Sequence, residues 1–114
     1  MRIETNQSRV SHNVHRVKIN RLLSEQARRH SLAMSRRGEL FHTSSAPSVY
    51  LGGMRWRVWG ENVGVTSGTV AGLQRAFMAS SGHRANVLNR SFQRVAIGAV
   101  RVHGMLWVTV FFYG

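Results

Sequence analysis

Three side chains in this sequence, His42, Glu61 and His83, are of types that can bind a metal ion or move a proton. A neutral imidazole can coordinate a divalent metal through one of its ring nitrogens. A carboxylate can accept a hydrogen bond from the other ring nitrogen or polarise a bound water. Because zinc usually takes three or four protein ligands, two histidines predict a weak site that water completes and that tolerates other divalent metals.

The segments around these residues distinguish them from the other histidines and glutamates. The sequence contains, in this order, ARRHS, GELFHTS, GENV, SSGHRANVL and FFYG. This ordered set resembles bacterial members of the CAP superfamily, the SCP-like proteins of the cysteine-rich secretory, antigen 5 and pathogenesis-related type. The resemblance covers the chain from about Asn6 to Gly114 and implies one CAP domain over residues 1–114. It also implies that His42, Glu61 and His83 fill three positions of the family's His/Glu tetrad and meet in one cleft.

The sequence departs from the family at the fourth position of that tetrad. Many eukaryotic members have a second glutamate there, three residues after a tryptophan, whereas this chain has Phe77 and Ser80 at the two positions. Serine supplies no carboxylate, which argues against an acid-paired metal cage and a two-carboxylate acid-base mechanism. Asn62, Arg84 and Asn86 belong to the same motifs, and we predict that they satisfy backbone groups where a loop enters a short helix.

Each cleft residue also has a structural interpretation. His42 and His83 can be hydrogen-bonded structural histidines, and Glu61 can tie down backbone amides of its own loop. His30 lies on the apolar stripe of a predicted helix, which favours a core histidine. The chain has no aspartate, so a Ser-His-Asp triad is excluded even though serine and threonine hydroxyls lie close to both motif histidines in the sequence.

Periodicity and capping residues predict the elements that position these side chains. Apolar or small residues recur every three or four positions between Asn20 and Arg37, which predicts a helix with Asn20 as its N-cap and Gly38 at its end. Shorter helices are predicted at about 3–12 and 69–79, with a helical turn at about 83–88. The glycine-rich residues 39–68 lack helical periodicity and are predicted to form loops with short extended pieces.

The end of the chain predicts a β-hairpin. Two apolar runs, Val95 to Val102 and Met105 to Tyr113, are joined by His103-Gly104, and tight hairpin turns prefer a glycine at this place. Because neither run alternates with polar residues, both faces of the sheet are expected to be covered. We therefore predict an α+β fold, a three-layer α-β-α sandwich with the hairpin in a central antiparallel sheet and the 20–37 and 69–79 helices on its flanks.

The charge balance is strongly positive. Sixteen basic and four acidic residues give a net charge of +12, and the cations are fifteen arginines and Lys18. Such a surface attracts nucleic acid, anionic lipid headgroups or acidic wall polymers, although it can also be no more than a solvated surface. The sequence has no zinc finger, aromatic RNP pattern or helix-turn-helix signal, so we expect only nonspecific binding of nucleic acid.

The absence of cysteine excludes structural disulfides and cysteine-ligated zinc. No stretch reaches the roughly 18 apolar residues that a membrane span needs. The first ten residues have neither the apolar run nor the cleavage site of a signal peptide, so export would require a signal outside these 114 residues. The family resemblance nevertheless implies an extracellular or envelope location.

The resemblance implies a noncatalytic binding module, because family members are mostly secreted and several bind sterols, fatty acids or other envelope components. We predict a His/Glu cleft that binds zinc or a similar divalent metal weakly, and an arginine-rich surface suited to anionic lipids or wall polymers. The alternative is a metal-dependent hydrolase. In that hypothesis a metal on His42 and His83 lowers the pKa of a bound water, and Glu61 is the catalytic base.

Overall fold

The chain forms five helices and four strands, and the computed structural model describes all residues from 1 to 114. In chain order they are α1 (Arg2–Ser11), β1 (Lys18–Ile19), α2 (Arg21–Arg37), α3 (Ala46–Leu51), β2 (Trp59–Thr66), α4 (Val70–Ala79), α5 (Ser81–Val87), β3 (Arg94–Val102) and β4 (Met105–Tyr113). None of the helices combines the length and the apolar character that crossing a membrane requires.

The four strands form one sheet in the order β1-β3-β4-β2. The predicted hairpin of β3 and β4 occupies its centre, and β2 pairs antiparallel with β4 from Trp59 opposite Tyr113 to Thr66 opposite Leu106. The short strand β1 pairs parallel with β3 at the other edge, a contact that the sequence analysis did not predict. The sheet is therefore mixed, but mostly antiparallel.

Alternate residues of β4 pack against two different helical layers. Leu106, Val108, Val110 and Phe112 join a core that includes Leu73 and Phe77 of α4. Phe111 and Tyr113 face the other way and pack with Ala27 of α2 and with Tyr50 and Leu51 of α3. Helices α1, α4 and α5 thus cover one face, and α2 and α3 cover the other. This arrangement confirms the predicted α-β-α sandwich with both faces of the hairpin covered.

Local signals set several boundaries of these elements. The Asn20 side chain accepts a hydrogen bond from the backbone N–H of Leu23 at 3.0 Å, and α2 ends at Gly38, whose φ is 67°. The hairpin turn needs a positive φ at both of its residues, which are His103 at 50° and Gly104 at 77°. The helix capped by Asn20 and the hairpin are therefore confirmed at the predicted positions.

The prediction for residues 39–68 was wrong in extent, because this segment contains helix α3 and the eight-residue strand β2. Two glycines, Gly60 and Gly64, made strand β2 difficult to predict from the sequence. A Cβ at Gly60 would meet the side chains of Asn86 and Phe92, and one at Gly64 would meet Leu73 and Phe77. Both glycines therefore let helices and loops approach the strand closely, and pairing with β4 outweighs their low intrinsic preference for strands.

Candidate functional site

Glu61 is the third residue of β2, and its side chain is only 1% exposed. Its Oε1 atom lies 2.9 Å from His42 Nδ1 and accepts a hydrogen bond of 2.9 Å from the backbone N–H of Thr43. The Thr43 hydroxyl donates to Oε2 at 2.6 Å. The carboxylate thus fixes the His42–Thr43 segment to the edge of the sheet. The one backbone amide that it binds belongs to Thr43 and not to its own strand.

The contact with Glu61 also determines which nitrogen of His42 is available. A carboxylate can only accept, so Nδ1 carries the proton and the neutral ring keeps its lone pair on Nε2. The His42 side chain is 68% exposed. The neutral ring therefore has an unprotonated nitrogen, of the kind that can coordinate a metal, on a largely exposed side chain.

His83 lies near the start of α5 and is held by different groups. Its Nδ1 atom lies 2.8 Å from the Ser80 hydroxyl, and its ring stacks on Phe77 with centroids 4.9 Å apart. Burial is the largest cause that lowers the pKa of His83 below 6.5. Coulombic repulsion from His42 in its protonated form lowers it further, and a backbone hydrogen bond with Val63 opposes the shift. The partly buried position of the His83 ring therefore favours its neutral form.

Two asparagines of the motifs join α5 to β2. The Asn62 side chain donates to the His83 carbonyl at 3.0 Å, and the Asn86 amide donates to Asn62 Oδ1 at 2.9 Å. The same amide group lies 3.3 Å from the Glu61 carbonyl. These contacts hold His83 in a fixed position relative to Glu61. Arg84 behaves differently, because its side chain is exposed and takes no part in this network.

The cleft residues come from both sides of the sheet. Glu61 pairs with Phe111 and faces the α2 and α3 layer, whereas Asn62 pairs with Val110 and faces the α4 and α5 layer. His42 and His83 thus approach the edge strand β2 from opposite layers. No group of three or more histidine, cysteine or acidic side chains is arranged to hold one metal ion. The arrangement therefore does not form a metal centre with three protein ligands.

Arg9 supports the site from a distance, and the sequence analysis missed it. It is completely buried, and its guanidinium donates to the carbonyls of Val87 at 2.8 Å and Asn89 at 2.9 Å. These carbonyls lie at the end of α5, the helix that carries His83. No sequence signal marked Arg9, because an arginine on a short helix is normally exposed.

The lowered pKa of His83 predicts loss of stability in acid. The unfolded chain takes up a proton at this residue near pH 6.5, before the folded protein does, so the favourable contribution is complete above pH 6.5 and is lost as the pH falls. We expect His83→Gln to show a smaller decrease in Tm than the original protein between pH 7.5 and 5. Thermal melts test this, with His103→Asn in the exposed turn as the control. Equal decreases for all three proteins would contradict the assignment.

The layered fold and the contact of Glu61 with His42 at the edge strand β2 define the class of protein to which this chain can be compared. The model of the CAP family, described as the cysteine-rich secretory protein family, matches residues 3–111. The chain therefore belongs to the CAP family, although it contains no cysteine. No curated protein matches its sequence.

Solved structures show the same fold. An extracellular protein containing an SCP domain from Bacillus anthracis str. Ames is 28% identical, with a TM-score of 0.77 over 96% of this chain and 37% of that one. An outer surface protein from Borrelia burgdorferi is 14% identical, with a TM-score of 0.83 over 98% of this chain and 87% of that one. A cysteine-rich secretory protein from Staphylococcus aureus subsp. aureus Mu50 is 18% identical, with a TM-score of 0.75 over 98% and 36%. This chain thus spans little more than a third of the Bacillus and Staphylococcus proteins.

Proposed function

We propose that this chain is a noncatalytic CAP domain of the cell exterior or envelope, whose His42 and His83 bind a divalent metal weakly. The observation that carries the proposal is the contact between Glu61 and Nδ1 of His42, at 2.9 Å. A buried carboxylate behind a histidine fixes the ring orientation and raises its basicity, as in many metal sites. The second imidazole is oriented similarly by Ser80, at 2.8 Å from its Nδ1.

The two imidazole nitrogens suit a weak metal site that is open to water, and not a site with four protein ligands. Two neutral imidazoles suit zinc, copper or nickel, and the metal would complete its coordination with water. Ser80 is a neutral hydrogen-bond partner, so it raises the basicity of His83 less than a carboxylate would. The lowered pKa of His83 keeps the ring deprotonated at neutral pH, which favours metal binding there.

Zinc titration tests the site directly. We expect zinc or copper to bind at pH 7.5 with modest affinity and to be released at about pH 5, because an imidazole must lose its proton before it can coordinate. His42→Ala and His83→Ala should each abolish binding, and Glu61→Gln should weaken it by about 10- to 100-fold. Isothermal titration calorimetry measures the affinities, and His103→Asn is the matched control.

Thermal melts of the same variants separate this proposal from purely structural roles for the two histidines. In that alternative, each alanine variant strands a buried partner at a cost of about 1–3 kcal/mol and has no metal binding to lose. Zinc binding that survives in both alanine variants would refute the metal site.

The contacts of Glu61 argue against the hydrolase alternative. A general base needs an oxygen lone pair that a water can reach, yet the Glu61 side chain is only 1% exposed and three donors already occupy most of its acceptor sites. Hydrolysis that requires metal and disappears in Glu61→Gln would restore the hydrolase hypothesis.

The second part of the proposal concerns the arginine-rich surface. Of the fifteen arginines only Arg9 is buried, and neither of the two ion pairs, Met1 with Glu4 and His42 with Glu61, includes an arginine. Free guanidinium groups attract phosphate and carboxylate over long distances. We propose that this surface holds the domain on anionic lipids or wall polymers, and that nucleic acid binds only nonspecifically. The Bacillus anthracis and Borrelia burgdorferi relatives are described as extracellular and outer surface proteins, which supports this location.

A further inference from the structure

Helix α2 carries a row of exposed arginines along its outer side. At about 100° per residue, Arg21, Arg28, Arg29 and Arg36 fall within an arc of about 100° around the helix axis. The buried residues Ala27, His30, Ser31 and Met34 occupy the opposite side of the helix. The row spans about 22 Å along the helix axis at a rise of about 1.5 Å per residue. We define the α2 arginine row as Arg21, Arg28, Arg29 and Arg36.

The charges of this row are not neutralised within the protein. None of its arginines forms an ion pair, and the one acidic residue in the same arc, Glu25, is also exposed and unpaired. Arg37 is excluded from the row because its guanidinium carbon lies 4.5 Å from the centroid of the Phe41 ring. The row therefore presents three net positive charges to solvent along one side of the helix.

We propose that the α2 arginine row binds a linear polyanion with repeated phosphate groups, such as a phosphodiester or polyphosphate chain. An arginine can donate two parallel hydrogen bonds to one phosphate, and a straight row of them matches an extended chain better than a compact ligand. This inference rests on the proposed role of the arginine-rich surface and gives that role a location and a ligand class.

The composition of the same face favours a polymer over a lipid bilayer. A helix that lies in a bilayer surface buries a broad apolar face among the lipids. The only large apolar side chain strongly exposed on α2 is Leu22, at 82%. A phosphate polymer needs no such face, because its affinity comes from neutralised phosphates and the counterions that they release.

The experiment measures binding of inorganic polyphosphate chains as a function of salt. The slope of log affinity against log salt counts the phosphates that are neutralised, at about 0.7 per contact for a flexible chain. Changing the four arginines of the row to glutamine should reduce that slope by about 3. Glutamine preserves helix propensity, and thermal melts confirm that the variant is folded.

A charge-matched control removes four exposed cations from other elements. It combines substitutions to glutamine at Arg2, Arg16, Lys18 and Arg75. Arg2 lies on α1, Arg16 just before β1, Lys18 on β1 and Arg75 on α4. We expect its slope to change by less than about 1, because these cations make no direct contact with the chain. Equal losses in the two quadruple variants would overturn the location on α2 and leave the broader role of the basic surface standing.

A gain-of-affinity variant guards against misfolding as an explanation. Glu25→Gln removes the one negative charge within the row and should strengthen polyphosphate binding more than Glu39→Gln does, since Glu39 lies beyond the end of the helix. No difference between these two variants would contradict the proposal.

Three further outcomes overturn the inference. If the unmodified protein fails to bind polyphosphate even at low salt, both the inference and the polymer part of the proposed function fail. If orthophosphate competes as well as the polymer at equal phosphate concentration, the ligand is not a chain. If phosphatidylglycerol vesicles bind more tightly than polyphosphate and depend equally on the row, the ligand is a bilayer surface.

Discussion

Gly98→Ala is expected to lower the free energy of unfolding by at least about 3 kcal/mol, at the upper end of what overpacking costs. Helix α2 crosses β3 so closely at Gly98 that an added Cβ would overlap backbone atoms of Ala27 and Arg28. A flexible side chain could move aside, but the helix backbone cannot do so without separating from the sheet. The close approach also lets the Ser31 hydroxyl donate to the Gly98 carbonyl at 2.8 Å. The methyl group therefore disturbs both packing and a buried hydrogen bond.

Gly82→Ala is the matched control for this prediction. Gly82 lies in α5, where an added Cβ meets no atom within 4 Å, and its φ is not positive. Alanine should therefore be neutral there or stabilise the protein by up to about 1 kcal/mol. Thermal and denaturant unfolding of both variants measures the contrast, which should exceed about 10 °C in Tm. Similar Tm values for the two variants would show that α2 can move away from β3 at little cost.

Arg9→Met is expected to have the second large effect, a loss of about 2–6 kcal/mol in the free energy of unfolding. Besides its bonds to Val87 and Asn89, the guanidinium donates to the carbonyls of His15 at 2.6 Å and Phe92 at 3.2 Å. Methionine fills a similar volume but removes the donor from the Val87 and His15 carbonyls, whereas the Asn89 carbonyl keeps the Phe92 N–H and the Phe92 carbonyl keeps the His15 ring. Each unsatisfied buried group costs about 1–3 kcal/mol. Burial, followed by the nearby charge of Arg90, lowers the pKa of Arg9, as expected for a cation without an anionic partner.

Two comparisons make the Arg9 prediction specific. Arg2→Met removes an exposed arginine from the same helix and should change stability by less than about 0.5 kcal/mol. Arg9→Lys keeps the charge but offers three donors at one point, so it should be intermediate. Denaturant unfolding at neutral pH gives the three values. An Arg9→Met protein as stable as the Arg2→Met protein would mean that water can replace the guanidinium.

Substitution of Arg9 is also expected to weaken metal binding, because α5 carries His83 and Asn86. With the end of α5 released, fewer contacts fix the position of His83 relative to Glu61, and those that remain include the hydrogen bonds of Asn62 and Asn86. Zinc affinity in folded Arg9→Lys protein should therefore decrease, although Arg9 lies outside the cleft. Zinc affinity equal to that of the unmodified protein would show that the asparagines suffice.

The local sequence was enough to predict the features of this protein that depend on a few neighbouring residues, namely helix ends, the hairpin turn and the family motifs. Asn20 and Gly38 bound α2 because a side-chain acceptor and a left-handed glycine satisfy the free ends of a helix. His103-Gly104 places the hairpin turn, and the unbroken apolar runs on both sides of it require cover on both faces. The ordered motifs identified the family and singled out His42, Glu61 and His83. These signals act over a few residues and are therefore readable without the fold.

Only the tertiary structure decided which distant groups share each hydrogen bond. Strand β2 forms across Gly60 and Gly64 because β4 and the helices pack against it, and its own residues signal a loop. Glu61 accepts from Thr43, eighteen positions away, and Arg9 donates to Phe92, eighty-three positions away. A sequence states which donors and acceptors exist. Which of them pair depends on the long-range packing that brings them together and excludes water, and that packing is a property of the whole fold.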